Sequence, residues 1–155
     1  MITTRYVCLN STALLATALF AGGPLFAQAP AANNADAELS KFQGSELRLV
    51  RFLINGKATV IPPAIKITLT FQKGGQISGQ SAVNSYAGVF TAMPNGKIAV
   101  QITTATQMAG PAESMELERK YFDALSHVKQ AVVKSDRIIL ENETASMEFA
   151  VSRAR

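Results

Sequence analysis

The chain is organised around the segment ISGQSAVNSYAG, residues 77–88. A short apolar run leads into this segment, small residues fill its middle, and Gly79 and Gly88 lie towards its two ends. Glycine suits positions where the backbone bends sharply or passes close to another part of the chain. The segment therefore predicts a strand, a tightly packed loop and a second strand.

Asn84 and Tyr86 are the side chains of this segment that combine reach with hydrogen-bonding ability. In a structural role, Asn84 bonds the loop backbone, and Tyr86 places its ring in the core and its hydroxyl at a buried partner. In a functional role, either side chain contacts a ligand or takes part in catalysis. The structural role is favoured, because buried polar groups are normally paired and the segment holds no His, Cys, Asp or Glu to assist catalysis.

The first 27 residues predict a secretory signal peptide. Arg5 supplies the positive charge, and a short apolar run over residues 13–26 precedes the small residues Ala27 and Ala29. We expect cleavage after Ala27, because a cut after Ala29 leaves Pro30 at the new N-terminus; an uncleaved anchor is the alternative. The run is too short for a membrane span, so we predict no integral membrane segment in the mature chain.

The single cysteine, Cys8, lies inside the predicted signal peptide and precedes most of its apolar run. This is not the position of the lipid-bearing cysteine of a lipoprotein, so we predict a periplasmic protein without a lipid anchor. The predicted mature chain then has no cysteine, which excludes a disulfide, a thiol nucleophile and a cysteine metal site.

Length and composition are those of a globular protein with one domain. The chain has 155 residues, of which 48% are hydrophobic, and a formal net charge of +4. Its basic residues are scattered, and no basic run marks a patch for nucleic acid or lipid headgroups. We therefore predict no nucleic-acid partner, and no motif of the sequence predicts a cofactor or a metal site.

Apolar and polar residues alternate along several short runs, which predicts β-strands. In residues 65–71 we expect the apolar side chains to face the core, and Lys66, Thr68 and Thr70 to face water. Asn55-Gly56 is a strong signal for a hairpin turn. The predicted strands cover residues 47–54, 57–61, 65–71, 76–79, 87–93, 97–106, 130–134, 137–141 and 146–152.

One helix is predicted from Gly110-Pro111 onward, because proline suits the first helical position and apolar residues recur at helical spacing up to Val128. Glu118 falls on the apolar side of this helix. We expect it at the edge of the apolar stripe or paired with an Arg, rather than in a catalytic role.

The fold class is therefore mainly β, with about eight antiparallel strands curled into a small barrel-like sheet and one packed α-helix. Residues 28–43 are rich in Ala, Pro and Asn, and they are predicted to form a flexible leader. Residues 44–155 are predicted to form the domain.

Several motifs follow one another in a characteristic order. ITLTF, residues 67–71, precedes a glycine turn, Gly79 leads to Asn84-Ser85-Tyr86, and TQMA, residues 106–109, precedes the helix that carries Glu118. In the order and spacing of these motifs, residues 46–151 resemble the META domain family, which includes the bacterial heat-shock protein HslJ. The resemblance implies a small exported β-barrel-like domain associated with the bacterial envelope and stress responses. It implies no known reaction.

The chain departs from the family pattern at two cysteines. Val83 stands where the family usually has the first, and Gly110 stands where it has the second. Loss of both is consistent with their forming a pair in relatives, so we expect Val83 and Gly110 to be neighbours. The residues that the resemblance marks as a structural motif are Gly79, Val83, Asn84, Tyr86, Gly88, Met108, Gly110 and Glu118.

Three function hypotheses follow. The leading one is an exported, non-enzymatic envelope protein of the META type that acts in envelope stress or through a protein partner. The alternative is a binder of a small apolar ligand in the barrel mouth, since eight-stranded barrels can hold one small ligand. An enzyme is least favoured, because His127 is the only histidine and falls on the polar side of the helix. No phosphate loop, zinc-ligand spacing or nucleophile elbow accompanies it.

Overall fold

The computed structural model describes residues 34–152. The predicted signal peptide, its cleavage site and the first part of the predicted leader lie outside these residues. The helices are α1 (Asn34–Leu39) and α2 (Ala112–Ser126), and short 3-10 turns occur at Ser40–Phe42 and Pro94–Gly96. The strands are β1 (Glu46–Ile54), β2 (Lys57–Ala58), β3 (Thr68–Gln72), β4 (Gln76–Gln80), β5 (Ser85–Ala92), β6 (Ile98–Ala105), β7 (Gln130–Val133), β8 (Arg137–Glu141) and β9 (Ala145–Val151).

Eight strands form one antiparallel sheet in the order β6-β5-β4-β3-β1-β9-β8-β7, and the short β2 pairs with the end of β1. The sheet curls into a half-barrel, and its edge strands, β6 and β7, approach each other at one end. There Ile98 N donates to Lys129 O at 3.1 Å, and Lys97 pairs with Gln130. The prediction of a mainly β, antiparallel, barrel-like sheet with one main packed helix is confirmed.

The turn between β1 and β2 has the geometry that Asn55-Gly56 predicts. Both residues have positive φ, 50° and 74°, which Asn and Gly adopt more readily than other residues. Leu53 pairs with Ala58 across the turn. The return strand is shorter than predicted: after Thr59 N, which donates to Phe52 O at 2.7 Å, the chain leaves the sheet.

The expectation that Thr68 faces water is wrong. Thr68 is buried, and its side chain and its carbonyl have partners on β4 and β5. Its Oγ1 accepts a hydrogen bond from Gln80 N at 3.1 Å, and its carbonyl accepts one from the Tyr86 hydroxyl at 2.9 Å. Among the apolar residues of the same run, Ile67, Leu69 and Phe71 are buried as predicted, and Ile65 is partly buried.

The prediction of a flexible leader does not hold for residues 34–43, which form α1 and a 3-10 turn. Leu39 and Phe42 are buried in the core, and Gly44 N donates to Phe71 O at 2.9 Å. Removal of two large apolar side chains from water stabilises this segment against the sheet despite its polar composition.

Helix α2 connects the two edge strands of the sheet and turns its apolar stripe to the core. Leu117, Tyr121 and Leu125 are buried at the predicted helical spacing. The helix begins at Ala112, directly after Pro111. No helix within residues 34–152 is both long and apolar enough to cross a bilayer. The largest fully buried side chains of the core include Tyr121, Phe52, Phe71, Phe149, Leu47 and Leu69.

Candidate functional site

Glu118 reaches from α2 to the loop that joins β4 and β5, residues 81–84. Its Oε2 accepts hydrogen bonds from Val83 N at 3.1 Å, from Asn84 N at 2.8 Å and from the Ser81 hydroxyl. Its Oε1 accepts a hydrogen bond from Asn84 Nδ2 at 2.8 Å. One carboxylate therefore ties the helix to the loop.

Asn84 extends this network to the segment before α2. Its Oδ1 accepts hydrogen bonds from Met108 N at 2.7 Å and from Thr106 Oγ1 at 2.8 Å, and its Nδ2 donates to Met108 O at 3.3 Å. Ser81 N donates to Asn84 O at 2.7 Å, which closes the loop on itself. We call the side chains of Ser81, Asn84, Thr106 and Glu118, with these backbone groups, the Glu118 cluster.

The environment of Glu118 differs from the expected one. The residue is 7% exposed, so it lies below the surface rather than at the edge of the stripe. Its partners in residues 34–152 are neutral donors and not an Arg. Burial raises the pKa of the Glu118 carboxyl, but the hydrogen bonds from Ser81, Asn84 and Val83 outweigh this effect and lower the pKa below its ordinary value.

This lowered pKa predicts a loss of stability in acid. A carboxyl whose pKa is lower in the folded chain contributes its full stabilisation above the unfolded value, about 4.3 for Glu. The contribution disappears as the pH falls through the lower, folded value. We expect the thermal midpoint, followed by circular dichroism, to fall as the pH drops below the unfolded value and through the lower, folded one. The Glu118→Gln variant should start from a lower midpoint and lose part of this dependence.

Glu116 provides a matched control on the exposed side of the same helix. A hydrogen bond from Arg119 lowers the pKa of Glu116 to about 2, but solvent and salt screen this exposed pair. Glu116→Gln should therefore change the acid dependence less than Glu118→Gln does, most clearly at high salt. Identical pH profiles for the two variants would contradict the stabilising role of the Glu118 cluster.

Tyr86 anchors the second half of the organising segment in the core. Its hydroxyl donates to Thr68 O at 2.9 Å. The Tyr121 hydroxyl lies 2.6 Å from the Tyr86 hydroxyl and forms a second hydrogen bond with it. Burial raises the pKa of both tyrosines above the ordinary value. Gly79 makes this arrangement possible, since a Cβ at that position would lie 2.8 Å from the Tyr86 hydroxyl and 2.1 Å from Thr68 O.

The two positions at which the family usually has cysteines are adjacent in this structure. A Cβ built on Gly110 would lie 3.6 Å from Val83 Cβ and 2.9 Å from Val83 Cγ2. Val83 therefore packs against the bare backbone of Gly110 and links the loop to the segment before α2. Gly88 likewise permits a close approach, because a Cβ there would lie 2.3 Å from Gln101 O on β6.

An exposed apolar surface lies outside the Glu118 cluster. Met108 is 57% exposed and Met115 is 39% exposed, and both line a depression of about 320 Å³ together with Asn84 and Glu118. A second depression, of about 560 Å³, is lined by Met115 and Phe122. The apolar residues that line the two depressions form what we call the methionine face: Met108, Ala109, Ala112, Met115 and Phe122.

The order of the motifs marks Met108, but nothing in the motifs groups it with Met115 and Phe122. The last two are seven residues apart on α2, which places them on one side of the helix. The two residues form a second apolar stripe beside the buried one, and this stripe is the sequence signal from which the methionine face could be predicted. Ser81 was also missed, because a single serine in a loop carries no pattern.

Most of the Glu118 cluster is buried, although Thr106 is exposed and Asn84 and Glu118 border the smaller depression. Ser81 is 1% exposed, and Asn84 and Tyr86 are buried. Every buried side-chain polar atom within residues 34–152 has a hydrogen-bond partner. His127 is exposed at the end of α2, where its Nδ1 lies 2.8 Å from Asp123 O. Across the described range, His, Cys, Asp and Glu side chains form no group of three positioned to hold a metal ion.

Comparison with solved structures agrees with the half-barrel architecture. The structure is similar to that of a protein from Burkholderia xenovorans determined by NMR, with a TM-score of 0.65 and 24% identity, covering 81% of this chain and 93% of that one. It is also similar to the crystal structure of a DUF4847 family protein from Bacteroides vulgatus, with a TM-score of 0.55 and 14% identity, covering 75% and 98%. At these identities the likeness shows the fold alone. No curated protein matches the chain.

Comparison with protein families gives a direct assignment. The family model of the META domain matches residues 40–154. The match includes every strand of the half-barrel, helix α2 and the whole Glu118 cluster. It confirms the resemblance drawn from the order of the motifs, and the chain belongs to the META domain family.

Proposed function

We propose that this chain is an exported, non-enzymatic domain of the bacterial envelope that binds a protein partner through its methionine face. The observation that carries the proposal is the exposure of Met108 and Met115 along one depression. Grouped apolar side chains on a surface are typical of interaction sites. Methionine suits such a surface, because its flexible thioether adapts to apolar partners of different shape.

Charged residues of both signs border the methionine face. Glu116 and Arg119 line the larger depression beside Phe122, and Arg119 donates to Glu116 through Nε at 3.0 Å and Nη2 at 2.8 Å. An apolar centre with a polar rim is the usual anatomy of a protein interface. We therefore expect the partner to present a short segment with apolar side chains and polar flanks.

Binding of a small apolar molecule in the barrel mouth is the alternative. The packing of the core counts against it, because Phe71, Tyr121 and Phe149 fill the space between the sheet and α2. The two depressions of the methionine face lie on the outside of this core. A lipid that co-purifies with the protein and appears in its native mass spectrum would favour the alternative.

A non-enzymatic role is supported by the state of the polar groups. The Ser81 hydroxyl and the Glu118 carboxylate, which resemble a nucleophile and a base by residue type alone, are buried and bonded to each other. A catalytic pair must reach a substrate, and here Glu118 Oε2, which accepts from Ser81, also accepts from the backbone N–H groups of residues 83 and 84. This cluster is therefore assigned to stability.

Photocrosslinking in intact envelopes tests the proposed surface. Benzoylphenylalanine at position 112 lies on the methionine face, and we expect irradiation to give a defined crosslinked product. The same amino acid at Val89 is the matched control, because Val89 is 40% exposed on β5 and lies outside the methionine face. We expect the combined substitutions Met108→Glu and Met115→Glu to abolish the product from position 112. A product of equal yield from position 89, or one that survives these substitutions, would contradict the proposal.

The export that we propose rests on Arg5, the apolar run and Ala27, and on the resemblance of the domain to an exported family. Protein isolated from a periplasmic extract should begin at Gln28 on N-terminal sequencing. Recovery of the intact chain from Met1 in the cytoplasm would contradict export. We also propose a role in envelope stress, which the resemblance to the family implies, and it predicts that the amount of the protein rises after heat shock, as measured by immunoblotting.

A further inference from the structure

We propose that Met108 and Met115 form a site of reversible oxidation to methionine sulfoxide, and that this oxidation changes the polarity of the methionine face. The two residues are exposed and line the same depression. The other described methionines are less accessible, since Met147 is 0% exposed and Met93 is half-buried. An oxidant in water therefore reaches the methionine face first.

The reaction needs only a peroxide. The sulfur lone pair attacks one oxygen of hydrogen peroxide, and the S–O bond forms as the O–O bond breaks. The departing hydroxide takes the proton from the sulfur-bound oxygen and becomes water. Sulfur loses two electrons and the peroxide gains them. A methionine sulfoxide reductase reverses the change.

The fold holds both methionines so that oxidation alters the surface and leaves the core intact. Met108 is attached through its main chain, since its N donates to Asn84 Oδ1 at 2.7 Å and its O accepts from Asn84 Nδ2 at 3.3 Å. The thioether of Met108 takes no part in these bonds. Met115 lies on the exposed side of α2. A sulfoxide at either position therefore places a strong hydrogen-bond acceptor on an unchanged backbone.

The consequence for binding rests on the proposed function. A partner that covers the methionine face with apolar side chains must remove water from the sulfoxide oxygens, and an unpaired polar group in an interface weakens binding. Oxidation of the envelope would then release the partner without unfolding the domain, and reduction would restore binding.

Peptide mass spectrometry of the folded protein after timed exposure to hydrogen peroxide tests the site itself. We expect sulfoxide to form at residues 108 and 115 at least about tenfold faster than at Met147. The thermal midpoint should stay unchanged while only these two residues are oxidised. Comparable rates at all described methionines, or unfolding in step with the first oxidation, would overturn the proposal.

The double variant Met108→Leu, Met115→Leu is the matched control, because leucine keeps the volume and apolar character and does not form a sulfoxide. We expect peroxide to suppress the crosslinked product from position 112 in the unchanged protein, and a sulfoxide reductase to restore it. The yield of the Leu variant before peroxide serves as its own reference, and peroxide should leave that yield unchanged. An equal fractional loss of crosslinked product in both proteins would overturn the proposal that oxidation of these two methionines releases the partner.

The two proposals can fail separately. If position 112 gives no product even before peroxide is added, the proposed partner binding is wrong, and the oxidation rates still decide whether the site exists. In that case the fluorescence of 8-anilinonaphthalene-1-sulfonate reports the polarity of the surface. We expect its fluorescence with the unchanged protein to fall on oxidation and to stay constant with the Leu variant. Constant fluorescence in both proteins would contradict the proposal that oxidation changes the polarity of the methionine face.

Discussion

The Glu118→Ala variant is expected to unfold with a free energy about 3–5 kcal/mol lower than that of the unchanged protein, because it leaves several donors without their acceptor. These donors are the Ser81 hydroxyl, the backbone N–H groups of Val83 and Asn84, and Asn84 Nδ2. Each buried donor that loses its partner costs about 1–3 kcal/mol, and water that enters the vacated space recovers part of the loss. Urea denaturation followed by circular dichroism measures the difference.

Two variants show whether the loss comes from the Glu118 cluster. Glu116→Ala removes a carboxylate from the exposed side of the same helix, and we expect a much smaller change in the free energy of unfolding, because solvent screens its ion pairs. Ser81→Ala removes one hydroxyl, which donates to Glu118 and accepts from Asn84 N, so its effect should lie between the other two. A Glu118→Ala protein within about 1 kcal/mol of the unchanged one would show that the cluster contributes little to stability.

The double variant Val83→Cys, Gly110→Cys is expected to form a disulfide and to gain about 3 kcal/mol in the free energy of unfolding, from the reduced entropy of the unfolded chain. The geometry is suitable, because the Cβ atoms would be 3.6 Å apart, within the range of about 3.5–4.5 Å found in disulfides. Gly110 does not have positive φ, so a side chain there meets no backbone strain. Thiol titration and denaturation with and without reductant measure the result.

The single variants serve as controls. We expect each of them to lower the free energy of unfolding, whereas the oxidised double variant raises it. Gly110→Cys alone keeps the Val83 methyl groups, one of which lies 2.9 Å from the new Cβ, so we expect a loss of stability from crowding. Val83→Cys alone removes apolar volume and should also destabilise, by a smaller amount. Two free thiols in the oxidised, folded double variant would show that positions 83 and 110 are too far apart to form a disulfide.

Much of the fold could be predicted from the sequence, because its signals are local. The alternation in residues 98–102 and the helical spacing from Leu117 to Leu125 place apolar side chains on one side of each element, and the structure buries them, Ile102 only in part. The Asn55-Gly56 turn is likewise a property of two adjacent residues. Where the sequence shows no period, as at Leu39 and Phe42, the burial of two isolated side chains could not be predicted.

The Glu118 cluster could be predicted only in part. Asn84 stands out in residues 77–88 because its side chain combines reach with hydrogen-bonding ability. Glu118 stands out because it is a charged residue on the apolar side of the predicted helix. Their contact depends on the closure of the half-barrel, which brings together residues 34 positions apart in the chain. Neutral backbone donors leave no mark in the sequence, so an Arg was the natural expectation for a partner. The methionine face was missed because it depends on which side of the helix the sheet covers.

The place of β1 in the sheet has a consequence for the order in which the protein folds. β1 lies between β3 and β9, and its pairing with β9 runs from Leu47 opposite Val151 to Ile54 opposite Ala145. Contacts between residues about 100 positions apart form slowly, because a long loop must close before they stabilise the chain. The central strand obtains its second neighbour only after β9 has been synthesised. A growing chain therefore cannot complete its native sheet until β9, the last strand of the described residues, has been made.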